Sequence, residues 1–116
     1  MPEPAALDVV EARLRGVLAP YLDRLEPFEV YGVTMLRRPG AGAHDWFAGV
    51  RRGPGGVKFS LLAMHTHPEV LDEASPLRRH RSGASILTFT AIDDGLVAEL
   101  EQLVARAFMV YTPEAG

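Results

Sequence analysis

The stretch Val57-Lys-Phe-Ser-Leu-Leu-Ala-Met64 decides the architecture. It holds a single charge, Lys58, and follows the turn-forming run Gly53-Pro-Gly-Gly56. Its length, flanking glycines and alternation predict a strand rather than a helix. In a strand, Val57, Phe59, Leu61 and Ala63 share one face, while Leu62 and Met64 fall on the other. Apolar residues on both faces mark a central strand covered on at least one side. The run then enters His65-Thr-His-Pro68, where the histidines cluster.

Upstream, Asp45 to Arg51 predicts a second strand and Phe28 to Leu36 a first, with Pro39-Gly-Ala-Gly42 as the loop between them. Short connections make these three an antiparallel meander. Before them, residues 5 to 25 repeat Leu7, Val10, Leu14, Val17 or Leu18, Tyr21 and Leu25 at helical spacing. Pro20 lacks an N–H and crowds the Gly16 carbonyl, so a kink or break is expected between Gly16 and Ala19.

Downstream, Pro68 to Glu73 suits a helical turn. Ser75 is an N-cap followed by Pro76 at the first helical position, which predicts a short helix from Pro76 to Arg81. Ser85 to Thr90 is a fourth strand. Asp93 caps a last helix, Asp94 to Phe108, whose buried stripe is Leu96, Leu100, Leu103, Val104 and Phe108. The tail after Tyr111 is expected to be loose. The order predicts α+β: an antiparallel sheet of four or more strands, N- and C-terminal helices packed on one face, and two short helices between strands 3 and 4.

A chain of 116 residues is one domain, residues 1–116, large enough for one core. It has no cysteine, which excludes disulfides and thiolate chemistry. A net charge of −3 carries no nucleic-acid signature. No apolar run reaches the ~20 residues of a membrane span. The first residues lack the pattern of a signal peptide, so a cytoplasmic location is expected.

Phe47-Ala-Gly-Val-Arg51, the third strand, Ser75-Pro-Leu-Arg-Arg79, Gly83-Ala-Ser-Ile-Leu-Thr-Phe89 and the helix opening at Asp93-Asp94 together resemble the YdhG-like family, domain of unknown function 1801. The likeness runs over roughly residues 30 to 110 and lies in pattern and order. It implies a small cytosolic bacterial domain without an assigned activity, with a frataxin-like iron chaperone as the role described for some members. The family often has Gly-Lys-Ser where this chain has Gly83-Ala84-Ser85, so a role for that lysine is missing here. A frataxin-like acidic ridge would use Asp8, Glu11, Asp23, Glu26 and Glu29, but Arg13 and Arg15 dilute it. The competing reading of these carboxylates is a solvated face.

His65 and His67 are the sharpest candidates for chemistry. In an extended segment they project to one side. Pairing residue 52 with 57 sets His44 and Asp45 opposite His65 and Met64. His44, Asp45, His65 and His67 would then converge as a divalent-metal site for iron or zinc. The alternative is histidines of a loop at a strand end. Arg37 and Arg38 fall at the opposite end of the meander from Arg51 and Arg52, so they form no single patch. Arg78, Arg79, His80 and Arg81 make a basic short helix beside Asp72 and Glu73. Tyr31, Met35, Trp46 and Phe47 alternate on adjacent strands, and those not in the core would line a shallow apolar surface. No nucleophile elbow or phosphate loop is present.

Two functions from different classes follow. The first is a non-enzymatic binding or chaperone-like domain for a metal or small ligand. The second is a homodimeric interaction or small-ligand module using the open sheet face. An enzyme would need a concave pocket at His44, Asp45 and His65.

Overall fold

The computed structural model describes residues 4–30, 32–42 and 44–111. Helix α1 runs Pro4–Leu18 and passes into a 3₁₀ segment, Ala19–Arg24. Proline at position 20 removes the donor an α-turn would need, and the chain tightens there as the sequence predicts. Strands β1 (Glu26–Val30), β2 (Val33–Arg37), β3 (Ala48–Gly53) and β4 (Gly56–Leu61) follow. Next come a single helical turn, α2 (Ala63–Thr66), and two 3₁₀ turns at Pro68–Val70 and Pro76–His80. Strands β5 (Arg81–Gly83) and β6 (Ile86–Phe89) and helix α3 (Asp94–Tyr111) complete the chain.

The sheet has six antiparallel strands in the order β1-β2-β3-β4-β6-β5. The fold is α+β, with both terminal helices on one sheet face. β4 lies inside the sheet between β3 and β6. Arg52 pairs with Val57, the register expected of the meander. Val57, Phe59 and Leu61 are fully buried on the helix face. They meet Val10, Leu14, Val17 and Leu18 of α1 and Leu100, Leu103, Val104 and Phe108 of α3 in one core. Asp93 caps α3 through its carboxylate, which accepts from Leu96 N at 2.8 Å. Ser75 caps its short helix in the same way, from Leu77 N at 3.2 Å.

Several boundaries differ from expectation. The first predicted strand, Phe28 to Leu36, is two strands joined by a tight turn. Gly32 takes φ +80°, open to glycine at little cost, and folds the segment back on itself. The second predicted strand begins at Ala48 instead of Asp45. The third ends at Leu61 instead of Met64, because Leu62 has helical backbone angles and the chain winds into α2. Ala63 and Met64 are buried as expected, but in a helical turn. The short helices consequently lie between the fourth and fifth strands, and Arg81, expected to end the second of them, opens β5.

The face away from the helices is traced by register: Phe28 pairs with Met35, Gly49 with Ser60, and Ser60 with Ile86. Met35 lies over Gly49, on the spot where a side chain at Gly49 would stand. Phe47 points into the core with 1% exposure and does not line this face, while Trp46 is half-buried ahead of β3. Tyr31 and the tail after Tyr111 lie outside the described residues. No described helix is long and apolar enough to cross a membrane.

The β3–β4 turn separates two glycine effects. Gly55 has φ +86° with open space around it, whereas Gly56 has φ +140° and a Cβ there would strike the Phe89 carbonyl. Gly55→Ala is expected to cost about 1 kcal/mol and Gly56→Ala at least twice that. Urea denaturation of the two variants checks the ranking.

Candidate functional site

The end of β4 builds a concavity. The β3–β4 ladder closes at Ala48 and Leu61. One further bond, Leu62 N to Phe47 O at 3.2 Å, carries the pairing past it. The chain then turns: His65 N donates to Leu62 O at 2.9 Å and His67 N to Ala63 O at 2.7 Å. Pro68, with no N–H, ends the turn and opens the next. Residues two apart on a helical turn point to nearly opposite sides. His65 is accordingly exposed, while His67 is half-buried and faces inward.

The β2–β3 connection forms the opposite wall. Gly40 turns the chain with φ +83° and its N–H donates to Glu26 Oε1 at 3.1 Å. Arg38 donates to Asp45 Oδ2 at 2.5 Å. The last residue of α3, Tyr111, fastens this loop to the helix layer. Its hydroxyl donates to the Asp45 carbonyl at 2.7 Å and accepts from Arg38 N at 3.0 Å. Burial pushes the Tyr111 phenol above its ordinary range, helped by the Asp45 charge and opposed by the Arg38 contacts. Behind it, the Phe47 ring sits 5.3 Å from Tyr111 and 5.3 Å edge-on from Phe108.

Between these walls is a cavity of about 240 Å³. Phe47, Leu62, Ala63 and Val110 supply apolar surface, Trp46 and Tyr111 flank it, and His44, Asp45, Thr66 and His67 give polar atoms. Thr66 Oγ1 lies 3.0 Å from His67 Nδ1. Of the four residues predicted to converge, His44, Asp45 and His67 line this cavity and His65 does not. Among the described residues, no three His, Cys, Asp or Glu side chains come close enough together to hold a metal ion.

Three of the five acidic positions are engaged elsewhere. Arg52 bridges Asp8 and Glu11, and Arg15 reaches Glu11 at 2.9 Å. The hydrogen bond from Arg15, with a weaker one from Arg52, holds the Glu11 carboxyl below its ordinary value against the opposing effect of burial. Glu26 caps Gly40 and faces Arg37 at 3.9 Å. Asp23 and Glu29 stand on the 3₁₀ segment and on β1. Arg78 spends its guanidinium on the Leu71 and Asp72 carbonyls, and Arg106 on that of Val70. The cleft they share with Glu69, Asp72 and Glu73 is therefore built of structural contacts.

Tyr111, Arg38, Thr66 and Val110 complete the site without having been singled out as ligand-facing in the sequence. Tyr111 had a signal: it continues the Val104 and Phe108 stripe at helical spacing, one turn past the expected helix end. The site and fold together define a two-layer α+β domain with a small aromatic cavity at one end of its sheet. Comparison with family models, curated proteins and solved structures found no match.

The Tyr111 anchor has a pH signature. A phenol raised in the folded state keeps its proton while the unfolded chain, near pH 10, has begun to lose it. Its contribution is complete below about pH 10 and is lost as pH rises through the folded value. The urea midpoint of the wild type is expected to fall more steeply between about pH 9 and pH 11 than that of Tyr111→Phe. At neutral pH the variant is expected to be less stable by about 1 kcal/mol.

Proposed function

We propose that the chain is a non-enzymatic domain that binds a small ligand in the cavity at the end of β4. The observation that carries this reading is the convergence of Trp46, Phe47 and Tyr111 with His44, Thr66 and His67 around one concave, partly open space. Apolar walls with a few polar groups are the usual make-up of a ligand site. Binding is favoured over catalysis because the carboxylate and the phenol of the lining are committed to structural contacts. The Asp45 carboxylate is held by Arg38, and the Tyr111 hydroxyl makes two hydrogen bonds.

The open sheet face supports a dimer less well. Val9, Leu22 and Met109 are the large apolar side chains most exposed among the described residues, and they belong to helical segments. Edge pairing is discouraged too: β1 carries Pro27, and β5 has three residues. The iron-handling role implied by the family resemblance, like an iron or zinc site at His44, Asp45, His65 and His67, would need donors that the described residues do not gather. The cytoplasm is the proposed setting, on the same resemblance.

Trp46 is the single tryptophan of the chain, so it reports on the cavity directly. Benzyl alcohol is expected to shift the Trp46 indole N–H resonance with a dissociation constant of about 1–10 mM, as befits a fragment. Thr66 is exposed at the rim, and Thr66→Phe is expected to abolish the shift without loss of fold. Shifts confined to Phe28, Met35 and Ile86 would place binding on the open face and refute the cavity.

A further inference from the structure

We infer that this cavity selects a small aromatic or branched apolar anion, a carboxylate above all, and takes it more tightly once its imidazoles are protonated. The inference rests on the reading of the cavity as a binding site and adds the charge of what enters.

The charge balance of the lining carries it. Asp45 is the carboxylate among the lining residues, and Arg38 neutralises it at 2.5 Å from outside the lining. Tyr111 is neutral, with its proton committed to the Asp45 carbonyl. The groups left to meet a ligand are His44, His67 and Thr66. Neither histidine makes an ion pair with a described acid. His67 has a defined inner partner, Thr66 Oγ1 at 3.0 Å from Nδ1, which leaves Nε2 to face outward from that bond. A protonated imidazole donates from both nitrogens, so Nδ1–H can point at Thr66 while Nε2–H meets an anion.

The other charged groups nearby do not reverse this balance. His65, on the same turn as Thr66, is exposed and does not line the cavity. Glu69, two residues beyond His67, lines the separate cleft with Asp72, Glu73, Arg78 and Arg106. On the α3 side the lining is Val110 and neutral Tyr111. Arg38, whose guanidinium lies 5.5 Å from the Tyr111 ring centroid, is already balanced by Asp45. An acid entering here meets no unpaired negative group of the lining and two protonatable ones.

Size fixes the rest of the ligand. A space of about 240 Å³ holds a single ring with one substituent and excludes a nucleotide or a peptide longer than a side chain. Phe47, Trp46 and Leu62 would bury the ring, with its charged end at the imidazoles.

Benzoate and benzyl alcohol have nearly the same shape and differ in charge, so they separate the two parts of the reading. Each is titrated against the full chain at about pH 5.5 and pH 7.5, with the Trp46 indole N–H as the signal. Benzoate is expected to bind roughly three- to tenfold more tightly at the lower pH, and benzyl alcohol equally at both. A His44→Gln variant, changed at an exposed position, and a His44→Gln/His67→Gln double variant are expected to reduce and then remove the benzoate pH dependence. Equal, pH-independent affinity for both probes would overturn the anion preference and leave the cavity reading standing. Unchanged benzoate pH dependence in the double variant would overturn the role of the imidazoles. Failure of both probes to perturb Trp46 at any pH would overturn the cavity reading and the anion preference together.

Discussion

Strand β4 is hydrogen-bonded along both edges, to β3 over Ala48–Gly53 and to β6 over Ile86–Phe89, and three of its side chains have no solvent exposure at all. That double constraint organises the molecule. Alternation sends Val57, Phe59 and Leu61 to one side, and only a cover of apolar helix stripes keeps those side chains from water. Removal of one large core ring of this kind costs about 3–5 kcal/mol, a sizeable share of the stability of a domain this size. Helices α1 and α3 therefore have little choice of position. The glycine at Gly56 is part of the same constraint, because β6 passes so close that any Cβ there meets the Phe89 carbonyl.

The cavity is a by-product of where that pairing stops. Past Leu61 the chain can no longer be both extended and buried on two sides. Leu62 accordingly takes helical angles and the backbone bonds itself in a turn. The opposing segment leaves β3 at the same level and is held off by the Arg38–Asp45 pair and the Tyr111 hydroxyl. A gap lined by aromatic and imidazole groups remains between the two departing segments. The function proposed here thus depends on the sheet ending as much as on the residues present.

Much of the architecture was legible in the sequence because period and punctuation agreed there. Leu14, Val17 and Leu18 of α1 and Leu100, Leu103 and Val104 of α3 are buried as their spacing predicts. Asp93 and Ser75 cap as their positions predict. What escaped was decided by single residues or by contacts distant in sequence. Gly32 broke a run that alternates well enough to pass for one strand. Leu62 to Thr66 reads as strand by composition, yet forms a helical turn once its pairing partner diverges. That one change separates His65 from His67 and dissolves the predicted meeting of four ligands. Tyr111 and Asp45 are 66 positions apart, and no local pattern announces the bond between them.

The account stands or falls on β4 as the most constrained segment of the chain. Native-state hydrogen exchange read residue by residue tests this directly. The amides of Val57, Phe59 and Leu61 are expected to exchange only through global unfolding, while those of the β1–β2 hairpin, which joins the sheet through a short contact with β3, open more readily. Exchange at β4 as fast as in that hairpin would contradict the central role given to it, and with it the origin of the cavity.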